Sequence, residues 1–130
     1  MRRSALLSIA CLLIAAPAAS AGCSWSAKLH ATTHHPKVGK KWPIRVTTSL
    51  SGVRTSAYYA FLFRGRQVQK ENINPNSSAP GKTLFHFTGK FRDPTIVWPG
   101  KSVGFPLTFR VVLKNRCGTK HLDYTVTVHK

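Results

Sequence analysis

Residues able to do acid–base chemistry are scarce in this chain. Its carboxylates are Glu71, Asp93 and Asp123, and acid–base catalysis needs a titratable pair within hydrogen-bond reach of one substrate. The G-x-S-x-G nucleophile elbow, the H-E-x-x-H zinc motif and a glycine-rich phosphate loop are all missing. Asp123 also has a structural task, as the expected cross-strand partner of Arg110. These features point to a protein that is not an enzyme and takes no cofactor.

Histidine offers a second chemistry. His30, His34 and His35 fall within six residues, and His86, His121 and His129 lie farther along. Neutral imidazoles suit zinc or copper, but these spacings match no closed site, and outward histidines are common on solvated strands. His30, His34 and His35 are kept as metal candidates behind the expectation that no metal is bound.

Basic residues dominate. The chain has 20 Lys and Arg. Three groups stand in or beside turns: Lys37, Lys40 and Lys41; Arg64, Arg66 and Lys70; Lys114, Arg116 and Lys120. Loops on a rigid scaffold commonly carry binding residues, and a field of this sign favours an anionic polymer or a lipid surface, with another extracellular protein as the further candidate partner. Specific nucleic-acid recognition is not expected. Base stacking needs exposed aromatics between the charges, whereas Trp25, Trp42, Phe105 and Phe109 fall on expected core faces. The competing reading is that the charge serves solubility alone.

The compartment follows from the first 21 residues. Arg2 and Arg3 precede an apolar run from Ala5 to Ala16, and Ala19-Ser20-Ala21 completes a small-x-small cleavage pattern. These are the three parts of a secretory signal peptide, and the run is too short to span a bilayer. Cleavage after Ala21 leaves residues 22–130 as one domain with no transmembrane segment. Two of the basic residues leave with the signal, so 18 remain against three acids, a net charge of +15 with His neutral. The expected location is extracytoplasmic, secreted or at the cell surface.

Cys11 lies within the signal, leaving Cys23 and Cys117. Two readings stand. In an oxidising compartment the pair forms a disulfide, closing a loop of 93 intervening residues. Alternatively, Ser20-Ala21-Gly22-Cys23 loosely resembles a lipobox, which makes Cys23 a lipid anchor and strands Cys117.

The elements that position these residues are strands. Apolar side chains alternate with polar ones at Trp25, Ala27, Leu29 and Ala31, and the run from Trp42 to Leu50 sends Trp42, Ile44, Val46 and Leu50 inward. Pro36 and Gly39 mark the turn between these runs. Ala57–Phe63 is apolar on both faces, as a central strand requires, and Arg64-Gly65-Arg66 turns it into a short strand near Gln67–Lys70. Residues 71–82 form a long loop, in which Asn76-Ser77-Ser78 matches a glycosylation acceptor. Leu84–Phe91 follows with Phe85, Phe87 and Phe91 on one side, then a short strand over Thr95–Trp98.

The last hairpin is the most sharply specified. Phe105, Leu107, Phe109, Val111 and Leu113 alternate inward, and Leu122, Tyr124, Val126 and Val128 resume the pattern. A four-residue loop over 115–118 keeps both sets on one face, whereas five residues would oppose Val111 to Asp123. The chosen register sets Arg110 opposite Asp123 as an ion pair. About seven strands with turn signals every 8–12 residues make an all-β antiparallel sandwich. Trp25–Leu29, Pro36–Ile44, Gly104–Arg110 and Leu122–Val126 together resemble small secreted bacterial domains of immunoglobulin-like or fibronectin type III-like fold. The resemblance implies that architecture and no particular activity.

The functional expectation is an exported, non-enzymatic binding module with basic loops. A structural or protein-interaction module is the alternative, and metal binding through histidine ranks third.

Overall fold

The computed structural model describes residues 23–130. The expected signal peptide, residues 1–21, and Cys11 within it lie outside the described residues. Eight strands form two antiparallel sheets: β1 (Ala27–Ala31), β2 (Ile44–Thr48), β3 (Arg54–Phe63), β4 (Arg66–Asn72), β5 (Phe85–Thr88), β6 (Lys90–Asp93), β7 (Pro106–Asn115) and β8 (Gly118–Thr127). The smaller sheet runs β1-β2-β6. The larger runs β4-β3-β7-β8, with β5 also pairing β3. Strands one, two and six face strands four, three, seven and eight, the distribution expected of an immunoglobulin-like sandwich with an added edge strand.

Local chemistry explains the boundaries. β3 and β4 are joined at Arg64 and Gly65, both with positive φ (51° and 78°), as a two-residue turn requires if it is to follow the twist of its strands. Gly89, at φ 75°, breaks the expected Leu84–Phe91 strand into β5 and β6. The chain crosses there from the larger sheet to the smaller. Phe85, Phe87 and Phe91 still share one side, and Phe91 packs edge-on against Phe85 at 5.1 Å and Phe87 at 4.8 Å.

Two expectations are corrected. Thr95–Trp98 is not a strand. Only Val97 bridges, to Lys41, because Pro94 lacks a donor and the Asp93 carboxylate accepts the Thr95 N–H at 2.9 Å, turning the chain. Phe105 is not core: it is 51% exposed. Its phase is inward, but β7 begins at Pro106 and the three-stranded layer does not extend over it.

The final hairpin has the expected register. Val111 opposes Leu122, Phe109 opposes Tyr124 and Arg110 opposes Asp123, with the ladder continuing to Asn115 and Gly118. Arg110 Nε–H and Nη2–H donate to Asp123 at 2.7 and 3.0 Å. The Arg110 hydrogen bonds and charge hold the Asp123 carboxyl below its ordinary pKa. A carboxyl depressed in the folded state contributes stability above its unfolded pKa and loses it as pH falls through the folded value. Both side chains are partly exposed (26% and 45%), so the contribution is screened to about 0.5 kcal/mol. A double-mutant cycle between Arg110→Ala and Asp123→Ala is expected to give that coupling at neutral pH and a smaller one at pH 2. Equal coupling at both would overturn the assignment.

The core joins both layers. Trp42, just before β2, and Ile44, Val46 and Phe91 from the smaller sheet meet Tyr59, Phe109, Val111, Leu113 and Val126 from the larger. Trp42 sits at its centre, edge-on to Trp98 at 5.4 Å and to Phe109 at 5.2 Å. Its indole N–H donates to Thr33 O at 2.9 Å. Buried Asp93 (2% exposed) accepts the Tyr59 hydroxyl at 2.7 Å. Burial first, then the nearby carboxylate, pushes the Tyr59 phenol far up. Cys23 and Cys117 form a disulfide with Cα atoms 5.0 Å apart, which occupies the sulfur that lipidation of Cys23 would need. Such a bond is typical of extracytoplasmic proteins. Among the described residues, no helix is long and apolar enough to cross a membrane.

Candidate functional site

The outward face of the smaller sheet carries positive charge on all three strands. Alternation sends Ala27, Leu29, Ile44, Val46 and Phe91 inward, so Lys28, His30, Arg45, Lys90 and Arg92 point outward, and all five are exposed. The register sorts them into two rows. Arg45 stands opposite both His30 and Arg92, and Thr47 stands opposite both Lys28 and Lys90. The spacing is about 4.8 Å between strands and about 7 Å along each. None of the three carboxylates belongs to these rows: Asp93 is buried, Asp123 pairs with Arg110 and Glu71 lies on β4.

Like charges directly opposite one another destabilise a sheet. The Arg45–Arg92 pair therefore works against folding and has to be offset elsewhere. This face is not among the three basic groups expected in or beside turns. The available signal was that the outward positions at 28, 30, 45, 90 and 92 are basic in three separate alternating segments; what it lacked was the pairing of β2 with β6.

The basic loops divide between two ends. Lys37, Lys40 and Lys41 lie in the β1–β2 connection, at the end of the basic sheet. Arg64 and Arg66 lie at the β3–β4 turn, at the same end of the sandwich. Lys114, Arg116 and Lys120 flank the β7–β8 turn beside the disulfide, at the opposite end. With ten residues in β7, the ends are separated by roughly 30 Å. Lys70 is within β4, and its ammonium lies 4.2 Å over the Tyr58 ring; Lys120 lies 5.0 Å over Trp25.

The histidines do not assemble. His30 is on the basic face. His34 stacks flat on Tyr124 at 3.9 Å, and its Nδ1–H donates to Thr125 O at 2.6 Å, since a carbonyl can only accept. His35 Nδ1 meets His129 Nε2 at 3.3 Å. Among the described residues no three His, Cys, Asp or Glu are grouped for a metal.

A cleft of about 620 Å³ opens where the two layers are unequal. The inner face of β3 and β4 has no facing strand there, and the segments 74–80 and 95–102 cover it only partly. Phe61, Phe63, Trp98, Phe105 and Leu107 make one wall. Glu71, Asn72, Asn74 and Ser78 supply polar groups, with Lys101 also on the lining. Burial pushes the Glu71 carboxyl up from its ordinary pKa, with a hydrogen bond from Gln69 and the Lys101 charge opposing the shift. Glu71 has no ion-pair partner among the described residues. Trp98 is 2% exposed and its indole N–H finds no hydrogen-bond partner in the protein. No protein-family model matches the chain, and no curated protein does.

Proposed function

We propose that this protein is an exported, non-enzymatic β-sandwich that holds an anionic polymer at or outside the cell surface, on the outward face of its smaller sheet. The observation that carries this reading is the Arg45–Arg92 opposition within a face of five basic side chains. Charge kept only for solubility can be spread out, whereas opposed arginines cost stability and gain from an anion laid between them. Export is supported by the signal-like first 21 residues and by the disulfide. Lys37, Lys40 and Lys41 extend the face at one end. The groups around Arg64 and Arg116 serve to steer the polymer towards it.

Binding to inorganic polyphosphate, followed by calorimetry from about 0.05 to 0.5 M salt, is expected to weaken with a log–log slope of roughly −3 to −5, as four or five cations displace counterions. A slope near zero would overturn the reading. Adsorption to anionic vesicles without polyphosphate binding would move the ligand to a lipid surface.

A protein-interaction module is the second reading. It draws on the apolar side chain of Val68 on β4, which is 60% exposed. A single protein partner retained at high salt would favour it.

A further inference from the structure

The cleft has a chemistry of its own, independent of the basic face. Its volume of about 620 Å³ lies within the range of roughly 300–1,000 Å³ usual for small-molecule sites. The wall of Phe61, Phe63 and Phe105 is apolar, and Phe105 stands exposed, edge-on to Phe63 at 5.9 Å. Trp98 lines the cleft, and its indole N–H is buried behind that wall without a protein partner. Such groups normally find an acceptor, because leaving one unmade is costly. An acceptor is waiting in the Glu71 carboxylate, held by neutral Gln69 and by no cation.

These features select among ligand classes. A purely apolar ligand would bury the polar groups of Glu71 and Asn72 without adequate partners. An anion would meet the carboxylates of Glu71 and Asp93, both on the cleft lining. A cation would meet Lys101 and the field of the whole basic molecule. What remains is neutral, carries donors and acceptors together, and presents an apolar face to aromatic rings. A sugar ring has this make-up: hydroxyls that both donate and accept, and a C–H face that packs on an aromatic side chain.

We propose that this cleft binds an uncharged saccharide, with a ring packed against Phe105 and Phe63 and a hydroxyl donating to Glu71. An extended peptide is disfavoured because it would take its hydrogen bonds from the β4 edge, where Arg66 and Lys70 stand exposed and guard against strand addition.

The test is an NMR titration of the protein with cellotriose, maltotriose and chitotriose. At least one is expected to shift the Trp98 indole N–H and the Phe105 amide saturably, with a dissociation constant of about 1 mM or below. Phe105→Ala and Glu71→Gln are each expected to weaken binding roughly tenfold. Neither is expected to lower the melting temperature, since Phe105 is 51% exposed and Glu71 has no charged partner. The affinity is expected to be the same at low and high salt, which separates this site from the polyanion face. Absence of a saturable response to all three sugars overturns the proposal. So do shifts confined to backbone amides along β4, the mark of an added strand, and a response lost at high salt.

Discussion

Replacing Cys23 and Cys117 together by serine is expected to lower the melting temperature by roughly 20 °C. The bond joins residues 94 apart, and closing a loop of that length in the unfolded chain is worth roughly 4–5 kcal/mol in the chain-entropy model. In a domain of this size each kcal/mol moves the midpoint by about 4–6 °C. The double substitution is the right variant because either single one leaves a free thiol. The loss should also be uneven. Cys117 sits in the β7–β8 turn of the larger sheet, and Cys23 precedes β1 at an edge of the smaller one. The early part of the β1–β2 connection has its own tether, since Thr127 N–H donates to His34 O and His129 N–H to Pro36 O. The first half of β1 has fewer ties and should lose hydrogen-exchange protection first. An unchanged midpoint in the double variant would overturn this assignment.

The second large effect concerns the basic face. Arg45→Glu with Arg92→Glu should cut affinity for polyphosphate about 100-fold or more at about 0.1 M salt, and should flatten the salt slope by about two. The milder Arg92→Ser should also weaken binding. It should nonetheless raise stability, by about 0.2–1 kcal/mol, because it removes a like charge directly opposite Arg45. Opposite signs for binding and stability are what a face kept for binding predicts. If charge served solubility alone, Arg92→Ser would stabilise without touching affinity. Lys114→Glu with Arg116→Glu makes the same change in net charge at the far end. An equal loss of affinity in that variant would transfer the site to the β7–β8 turn.

The final hairpin was legible from residue order. A short loop and strict alternation leave one register that keeps Phe109, Val111, Tyr124 and Val126 on the core side. The Arg110–Asp123 pair then follows without knowledge of the rest of the fold. The Cys23–Cys117 bond was legible too, by counting, once Cys11 was assigned to the signal. Both inferences depend on local spacing or on number, which folding does not alter.

The rest depended on which strands become neighbours. Arg45 and Arg92 are 47 positions apart, and they stand opposite each other because the chain changes sheets at Gly89 and lays β6 against β2. Hydrophobic alternation says which side of a strand faces the core, but it is the same whichever partner the strand takes. Basic residues that look like three loop clusters in the sequence therefore divide between two ends, while basic residues that look scattered form one face. Phe105 shows the same limit. Its phase in the sequence is that of a core residue, and it is exposed because the facing layer has three strands against the longer ones of the other. Period and turn chemistry are properties of the chain, whereas layer width and strand order belong to the packed molecule, and the basic face and the cleft arise from those.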